Sequence, residues 1–486
     1  MSTADVAQVA PRPTTSMELL QARLAAAAAW LRMNRVDLLA MAGPALVLGA
    51  LASYNLGATS FWRDEISSVV FAHASIPDLL TIIDRERRVA GLPNMATYYL
   101  VLHFWLVVGE TEARVRLLSV LAGVATIVPI YLTAKRIGGW VAGLVAGALF
   151  AVIPYVVHYS QDARGYSMSM LAAAALTWLV IKATERQTVG WWLAYGITAA
   201  LGLYVHFFVA LVIAVHGIWV LAARRMPPWR ALVAGALPVV IAAAPLPYIV
   251  LQYGTKHGWI DPLTFRRMGL ALSELAGNTG ALVAFVVAIC VVLVVHRRNP
   301  LAWLLVAVVL VPLAVTAGMS TVKPLFVPRY LIVVLPAMAT VAGVAVASLR
   351  PVPARAVAAV AIGAVLLWSL PTAYPALDRQ DWRSAARFMS ERMTPEDRFV
   401  IQADGRRQLE YYLGRHGITM PPSEDVWDVL ADSAETQVWV FVSDEGSPNA
   451  IRRALEEEYD LVVDHSWGRR IRLILFAPAT TGLSQP

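Results

Sequence analysis

Long apolar segments follow one another through most of the first 375 residues, and this repetition constrains the fold more than any other feature. An α-helix needs about 20 apolar residues to cross a bilayer, and most of these runs approach that length. Charged residues make up 15% of the 486 positions, against roughly 25% in an average soluble protein. The pattern predicts a mainly α, polytopic membrane protein and excludes a soluble enzyme with one large core.

Eleven of the apolar runs are predicted to span the membrane. They centre on residues 37–56, 114–134, 140–157, 166–182, 190–206, 207–223, 231–251, 280–296, 301–318, 330–348 and 355–373. A shorter, aromatic-rich run at 95–108 suits an interfacial or re-entrant helix better than a span.

The distribution of Lys and Arg predicts the orientation of these spans. Short cytoplasmic loops are rich in basic residues, so the net charge of +7 is interpreted as a topology signal and not as nucleic-acid binding. If the N-terminus is cytoplasmic and 95–108 does not cross, loops such as "AKRIGG" and "AARRMPPWR" all lie inside. If 95–108 crosses, they all lie outside. We therefore expect a multi-pass protein of the cell membrane with a cytoplasmic N-terminus and an extracytoplasmic C-terminus.

Three regions follow from this threading. Residues 1–36, with "QARLAAAAAWLRMNR", are expected to form a cytoplasmic tail with an interfacial helix, because they lack the pattern of a cleaved signal. Residues 37–375 form the transmembrane domain, with a first outer loop at 57–113. Residues 376–486 are more charged, and alternating strand and helix patterns predict a small extracytoplasmic α/β domain that caps the membrane part or docks a partner.

The stretch "FWRDE" places three charges, Arg63, Asp64 and Glu65, directly after the first span. A partly desolvated carboxylate at the bilayer edge suits a general base, which makes Asp64 and Glu65 candidate catalytic residues and Arg63 a candidate substrate-binding residue. The alternative is an ordinary acidic pair that faces water at a helix end. Two adjacent carboxylates without further ligands are weak grounds for a divalent metal site, so no metal ligands are predicted and metal dependence stays open.

The loop "HYSQDARGYS" adds a second set of charges on the same outer side. Asp162 could orient the first carboxylate or the acceptor, and Arg164 and Tyr166 could contact substrate. The alternative is a local ion pair between Asp162 and Arg164 that closes the loop.

Basic residues in the later outer loops could bind a phosphate. Lys323 and Arg329 flank "KPLFVPR", and His257 lies in the loop before the eighth span. Anchoring to lipid headgroups is the alternative for these residues. His206, in "YVHFF", could donate a hydrogen bond to a phosphate or hydroxyl, although a lone His among aromatic residues is more often simply packed.

The order of these motifs resembles a known family. A "DE" pair in the first long outer loop is followed by "GLPNMATYYLVLHFW", "GETEARVRLLSVLAG", "HYSQDARGYS" and "KPLFVPRYLIVVLPA". This order is similar to that of the GT-C glycosyltransferases of bacterial family 39, the protein O-mannosyltransferase and aminoarabinose-transferase type, and of their actinobacterial mannosyltransferase relatives. The resemblance covers roughly residues 37–375.

The resemblance implies an inverting membrane glycosyltransferase. Its donor substrate would be a polyprenyl-phosphate-linked sugar, with mannose favoured by the family, and no further cofactor would be required. Asp64 would be the base with Glu65 beside it, Asp162 would assist, and Lys323 and Arg329, joined by Arg164, would hold the donor phosphate. The segment "GLPNMATYY" lacks the paired prolines common in the family, so the acceptor stays open among a glycolipid, a polysaccharide and a protein hydroxyl.

Two other functions fit a polytopic protein with outer charges. A transporter or flippase for a lipid-linked solute would be expected to show internal repeats and interrupted spans near the midplane, and the sequence shows no repeat. A non-catalytic scaffold for envelope assembly would use the α/β tail as its docking module.

Overall fold

The computed structural model describes residues 16–78, 95–246, 260–374, 381–401, 405–431, 436–442, 448–467 and 471–478. These residues form a bundle of apolar helices and one small sheet of four strands, which confirms the predicted fold class. The helices up to residue 373 are α1 (Ser16–Ser53), α2 (Arg63–His73), α3 (Ala96–Trp105), α4 (Glu112–Val152), α5 (Pro154–Ser160), α6 (Tyr166–Arg186), α7 (Val189–Val205), α8 (Val209–Ala222), α9 (Trp229–Ala243), α10 (Phe265–Ala276), α11 (Thr279–Val295), α12 (Pro300–Met319), α13 (Leu335–Ala347) and α14 (Val352–Ser369). Three short 3₁₀ segments, Leu106–Val108, Pro328–Val334 and Leu370–Ala373, adjoin α3, α13 and α14.

The number of membrane spans differs from the predicted eleven. Among the described residues, six helices are long and apolar enough to cross a bilayer, or seven if the bent pair α10–α11 counts as one span. Four further apolar helices are shorter: Ala96–Val108, α7, α8 and α9. The predicted spans at 190–206 and 207–223 fall on two of these short helices, so the count of eleven is not confirmed, whereas the multi-pass architecture is.

The predicted spans at 114–134 and 140–157 meet in one helical stretch of 41 residues, α4. Gly139 interrupts it with φ 77°, a left-handed value that residues with a side chain rarely adopt, so the chain turns there as the "AKRIGG" loop predicts. Pro154 then begins α5, because proline tolerates the first turn of a helix but not its interior. As a result the predicted loop 158–167 is shorter, and only residues 161–165 separate α5 from α6.

The centre of the bundle is the contact between α4 and α13. Residues 335–346 of α13 are buried throughout, and the two helix backbones approach closely at Gly343. A Cβ atom there would lie 2.4 Å from the carbonyl oxygen of Ala142 and 2.6 Å from the side chain of Ala146. The small residues therefore set the distance between these two helices, as is typical of packing in membranes.

The C-terminal region forms an α/β sheet in the order β1-β2-β4-β3. Its elements are α15 (Trp382–Ser390), β1 (Arg398–Ile401), α16 (Arg406–Gly414), α17 (Val426–Ala431), β2 (Val438–Val442), α18 (Pro448–Leu455), β3 (Tyr459–Ser466) and β4 (Arg472–Pro478). β1 pairs parallel with β2, whereas β4 runs antiparallel to both β2 and β3. All four strands lie within residues 376–486, where the alternating pattern predicts an α/β domain, while the domain boundaries at 36 and 375 stay predictions.

We expect Gly343→Ala to destabilise the bundle, because the new methyl group would push α13 away from α4. Overpacking of this kind costs typically about 1–3 kcal/mol. The measurement is thermal unfolding of the purified protein in detergent. Gly363→Ala is the matched control, since a Cβ atom at Gly363 of α14 meets no atom within 4 Å. Equal unfolding temperatures for the two variants would contradict this account of the packing.

Candidate active site

A buried ion pair organises the first outer segment. Glu65, near the start of α2, accepts two hydrogen bonds from Arg116 of α4, at 2.8 Å from Nε and 2.7 Å from Nη2. The side chains of Glu65 and Arg116 are 1% and 6% exposed. Glu65 also accepts from the backbone amides of Trp62, at 3.2 Å, and Ala163, at 2.9 Å. Its two oxygens are therefore fully engaged within the protein.

The remaining donors of Arg116 hold the chain just before α2. Its Nη1 atom donates to the carbonyl oxygens of Leu56, at 2.9 Å, and Thr59, at 3.0 Å, and Nη2 donates to that of Ser60, at 3.1 Å. A planar guanidinium suits this role because its donors point in fixed directions. Arg116 thus joins α4 to the loop that leads into α2.

Asp162 lies beside this ion pair, in the turn between α5 and α6. It is 6% exposed, and its Oδ1 atom accepts a hydrogen bond of 2.9 Å from the indole Nε1 of Trp62. Burial raises the pKa of Asp162 most, and the Glu65 carboxylate raises it further, while the Trp62 hydrogen bond and the Arg164 guanidinium lower it; the net change is an increase. The sequence prediction that Asp162 meets the "DE" pair is consistent with this geometry.

Asp64 differs from its neighbour Glu65. Its side chain is half-buried, and within the described part of the chain its carboxylate has no hydrogen-bond partner. Its charge acts on those of Asp162, Arg164 and Arg329, which places it at the same cluster. Asp64 is therefore the carboxylate that is available to a ligand.

Arg164, in the turn before α6, contacts both α2 and α3. Its Nη1 atom donates to the hydroxyl of Tyr99 on α3, at 3.0 Å, and to the carbonyl oxygen of Asp64 and the hydroxyl of Ser68 on α2, at 3.2 and 3.3 Å. Its Nε atom is buried and has no partner among the described residues. The alternative interpretation of this loop, a local ion pair between Asp162 and Arg164, is not seen in the described structure, where Asp162 is bonded to Trp62.

Four aromatic rings pack against one another near these charged residues. The ring of Tyr166 lies 4.7 Å from that of Tyr159 and 5.8 Å from that of His206, and His206 lies 5.7 Å from Tyr330. The guanidinium of Arg329 lies 5.9 Å from the centre of the Tyr330 ring and acts electrostatically on Tyr159, Tyr166 and Asp64. Arg329, Tyr166 and His206 thus lie near the carboxylates, while their roles stay predictions.

His206 contributes one of these four rings. Its Nδ1 atom accepts a hydrogen bond of 3.3 Å from the amide of Phe208, which assigns the ring proton to Nε2. His206 is 1% exposed, and Nε2 has no partner among the described residues. A buried N–H group is costly unless a water molecule or a ligand supplies the acceptor.

The structure does not bring every predicted residue to the cluster. Arg63 is exposed at the first position of α2, and its side chain shows no contact with Asp64, Glu65 or Asp162 in the part of the chain described here. Lys323 follows α12, where its amide donates to Met319, and the described residues show no contact of its side chain with the carboxylates. His257 lies outside the described residues. The roles of these three residues stay predictions.

Sequence reasoning overlooked four residues of the cluster: Trp62, Tyr99, Arg116 and Tyr330. Arg116 carried a usable signal, because it is a charge within an apolar span and such residues are almost always paired. Its partner is 51 positions away and could not be assigned from spacing. Among the described residues, no group of three or more His, Cys, Asp and Glu side chains could hold a metal ion.

Comparisons with known proteins fit this geometry. Residues 93–249 match the family model of dolichyl-phosphate-mannose-protein mannosyltransferases. The fold is similar to that of ArnT from Cupriavidus metallidurans bound to undecaprenyl phosphate, with a TM-score of 0.60 and 14% identity over 92% of this chain and 98% of ArnT. The chain has the GT-C glycosyltransferase fold. The resemblance predicted from the motifs is confirmed at this level.

Two further solved structures share the GT-C fold. AglB from Archaeoglobus fulgidus, in complex with an inhibitory peptide and a dolichol-phosphate, has a TM-score of 0.54 and 12% identity over 94% of this chain and 75% of its own. The arabinofuranosyltransferase AftD from Mycobacteria has a TM-score of 0.53 and 16% identity over 90% of this chain and 41% of its own. A comparison with curated proteins gave no match.

We expect Asp162→Asn to reduce the pH dependence of stability. Because folding raises the pKa of Asp162, the folded protein binds this proton more tightly than the unfolded chain does. Stability therefore falls as the pH rises from the ordinary Asp pKa, about 3.9, to the raised pKa, by about 1.4 kcal/mol per pH unit between the two. The charges that act on Asp162 are those of Glu65, Asp64 and Arg164.

The measurement is thermal unfolding of both proteins between acidic and neutral pH. The wild type should lose more stability over this range than Asp162→Asn, which cannot titrate. Asp460→Asn, on the exposed side of β3, should follow the wild type. Parallel curves for wild type and Asp162→Asn would show that this carboxyl titrates normally.

Proposed function

We propose that the chain is an inverting membrane glycosyltransferase that moves a sugar from a polyprenyl-phosphate donor to an acceptor hydroxyl. One observation carries the proposal. Asp64 is a half-buried carboxylate without an internal partner in the described structure, and it interacts electrostatically with the guanidinium groups of Arg164 and Arg329. This reaction requires a general base close to positively charged groups that bind the phosphate. The GT-C fold does not favour the transporter or scaffold alternatives.

In this mechanism Asp64 is the general base. It removes the proton of the acceptor hydroxyl as that oxygen attacks the anomeric carbon, and the bond from this carbon to the phosphate oxygen breaks with its electron pair leaving on the phosphate. Attack opposite the leaving group inverts the configuration. Glu65 cannot share this task readily, because Arg116 and two backbone amides engage both of its oxygens. We assign Glu65 and Asp162 a positioning role.

The unpartnered donors support a phosphate site. Arg164 Nε and His206 Nε2 are both buried without an acceptor in the described structure, and the Arg164 and Arg329 charges both act on His206. A phosphate would satisfy these donors, and its growing negative charge in the transition state would be stabilised in a cleft of low dielectric constant. The ring of Tyr166 lies 5.8 Å from that of His206, and the charges of both arginines act on it. Lys323 would contribute from the rim.

The donor class follows from the fold and the bilayer. The related ArnT structure contains undecaprenyl phosphate and the AglB structure a dolichol-phosphate. A polyprenyl chain keeps such a donor in the membrane, because each buried CH₂ group contributes about 0.8 kcal/mol. The family match favours mannose as the sugar. The proposed orientation puts the N-terminus in the cytoplasm and the cluster on the outer face, where a glycolipid, polysaccharide or protein hydroxyl accepts the sugar.

We expect Asp64→Asn to abolish sugar transfer while the protein folds and enters the membrane normally. Loss of a general base lowers the rate by about 10²–10⁴-fold. The assay is the release of undecaprenyl phosphate from undecaprenyl-phosphate-linked, radiolabelled mannose by detergent-purified protein, with envelope extract as the acceptor. Asp78→Asn, an exposed carboxylate of the same outer segment, is the matched control. Wild-type turnover by Asp64→Asn would remove Asp64 from the role of base.

We expect Arg329→Met to weaken binding of undecaprenyl phosphate by about 10- to 100-fold, because a charge-assisted hydrogen bond contributes roughly 1.5–3 kcal/mol. Binding is measured by titration calorimetry in detergent, which needs neither the acceptor nor turnover. The control is Arg298→Met. Arg298 is exposed in the turn that follows the C-terminal end of α11. Equal affinity in wild type and Arg329→Met would place the phosphate elsewhere.

A further inference from the structure

The C-terminal domain contacts the segment that precedes Asp64, the proposed base. Tyr412, on α16, is 2% exposed, and its hydroxyl accepts a hydrogen bond of 2.7 Å from the backbone amide of Phe61. The same hydroxyl donates to the carboxylate of Glu112, the first residue of α4, at 2.9 Å. Phe61 precedes Asp64 by three residues. A single hydroxyl therefore links the α/β domain, the start of a membrane helix and the segment that leads into α2.

Other contacts connect the same surfaces. Arg383 of α15 donates from its backbone amide to the hydroxyl of Ser60, at 3.1 Å, and from its guanidinium to the carbonyl oxygen of Ala58, also at 3.1 Å. The Ser60 hydroxyl in turn donates to Asp381, at 3.2 Å. Further along, the exposed Arg407 of α16 donates to the hydroxyl of Ser67 on α2, at 3.0 Å. The contacts therefore lie on both sides of Asp64 in the sequence, from Ala58 to Ser67.

These contacts complement those from the membrane side. Arg116 holds carbonyl oxygens of the segment 56–60, but as a pure donor it cannot hold an amide. The amide of Trp62 is taken by Glu65, at 3.2 Å, so the amide of Phe61 is left to Tyr412. The backbone is therefore fixed from two sides by groups of opposite hydrogen-bonding type. These bonds hold the backbone immediately before α2, whose second residue is Asp64.

We propose that the C-terminal α/β domain is a positioning element of the active site and that Tyr412 is the residue through which it acts. Its catalytic consequence rests on the proposed function, whereas its hold on the Phe61 amide does not. A domain that only covers the membrane part or docks a partner would not need a buried hydrogen bond to the backbone three residues before the base.

The test uses the full-length protein in detergent and the variant Tyr412→Phe, which keeps the ring and removes the hydroxyl. Hydrogen exchange should become roughly 3- to 10-fold faster at the amides of residues 61–64, since a net hydrogen bond contributes about 0.5–1.5 kcal/mol. The value of kcat for sugar transfer should fall about tenfold or more, because small misplacements of a catalytic group are costly. The KM for the donor should stay within about twofold, because Tyr412 does not touch the proposed phosphate site.

The neighbouring residue gives a matched control. The hydroxyl of Tyr411 is buried without a partner in the described structure, and its ring packs against Phe61 at 6.0 Å. Tyr411→Phe should therefore leave exchange and kcat unchanged. Should Tyr412→Phe fail to fold, Arg407→Met tests the positioning role of the domain through a second contact, the hydrogen bond from α16 to Ser67 of α2. A smaller loss of kcat, about threefold, is expected because a single partly exposed hydrogen bond is removed.

Each outcome decides the proposal. Unchanged exchange at residues 61–64, or faster exchange with an unchanged kcat, would overturn it. A fall in kcat that Tyr411→Phe reproduces would also overturn it, because the hydroxyl would then not be responsible. Absence of transfer by the wild type would contradict only the proposed reaction. The exchange data would still show whether Tyr412 holds the backbone at Phe61.

Discussion

The buried ion pair between Glu65 and Arg116 is the interaction on which the geometry of the candidate site depends. Neither charge is stable in a dry interior alone, and breaking such a pair from one side costs about 3–5 kcal/mol. Because Glu65 also binds the amide of Ala163 and Arg116 binds three carbonyl oxygens before α2, one pair fixes the loop, the helix and the turn that carries Asp162. It also explains why the two adjacent acids differ. Both oxygens of Glu65 are occupied by hydrogen bonds within the protein, whereas those of Asp64 remain available to a ligand.

The balance of charge at the candidate site follows from that pair. With Glu65 neutralised by Arg116, the remaining carboxylates, Asp64 and Asp162, face Arg164 and Arg329. The indole of Trp62 holds Asp162 at a fixed distance from the ion pair and supplies a donor where a second cation would be costly to desolvate. In the proposed reaction, the donor phosphate would meet positive charge and unsatisfied N–H groups together, whereas the acceptor hydroxyl would meet the carboxylate of Asp64, whose lone pairs are not engaged within the described structure.

Patterns that are local in sequence were predictable. The apolar runs gave the multi-pass helical class, alternation gave the four strands of the C-terminal sheet, and charges stranded outside the basic loops pointed to Asp64, Asp162, Arg164 and Arg329. What could not be predicted depends on contacts between distant positions. The partner of Glu65 lies 51 residues away, and Tyr412 lies 351 residues from Phe61. The extra helix at Pro154 and the short α7 and α8 also depend on packing, which hydropathy does not report.

The two-sided support of the first outer segment follows from the chemistry of a loop at a membrane surface. Backbone amides and carbonyl groups that are buried in such a connecting segment need partners, and hydrogen bonds to rigid neighbours help to offset the conformational entropy lost when the segment is ordered. The membrane helices offer Arg116, which can bind carbonyl oxygens but no amide. An acceptor for the Phe61 amide has to come from elsewhere, and Tyr412, itself bonded to Glu112 at the start of α4, supplies it. The α/β domain and the bundle thus share one short segment, and the carboxylate of Asp64 stands directly after it.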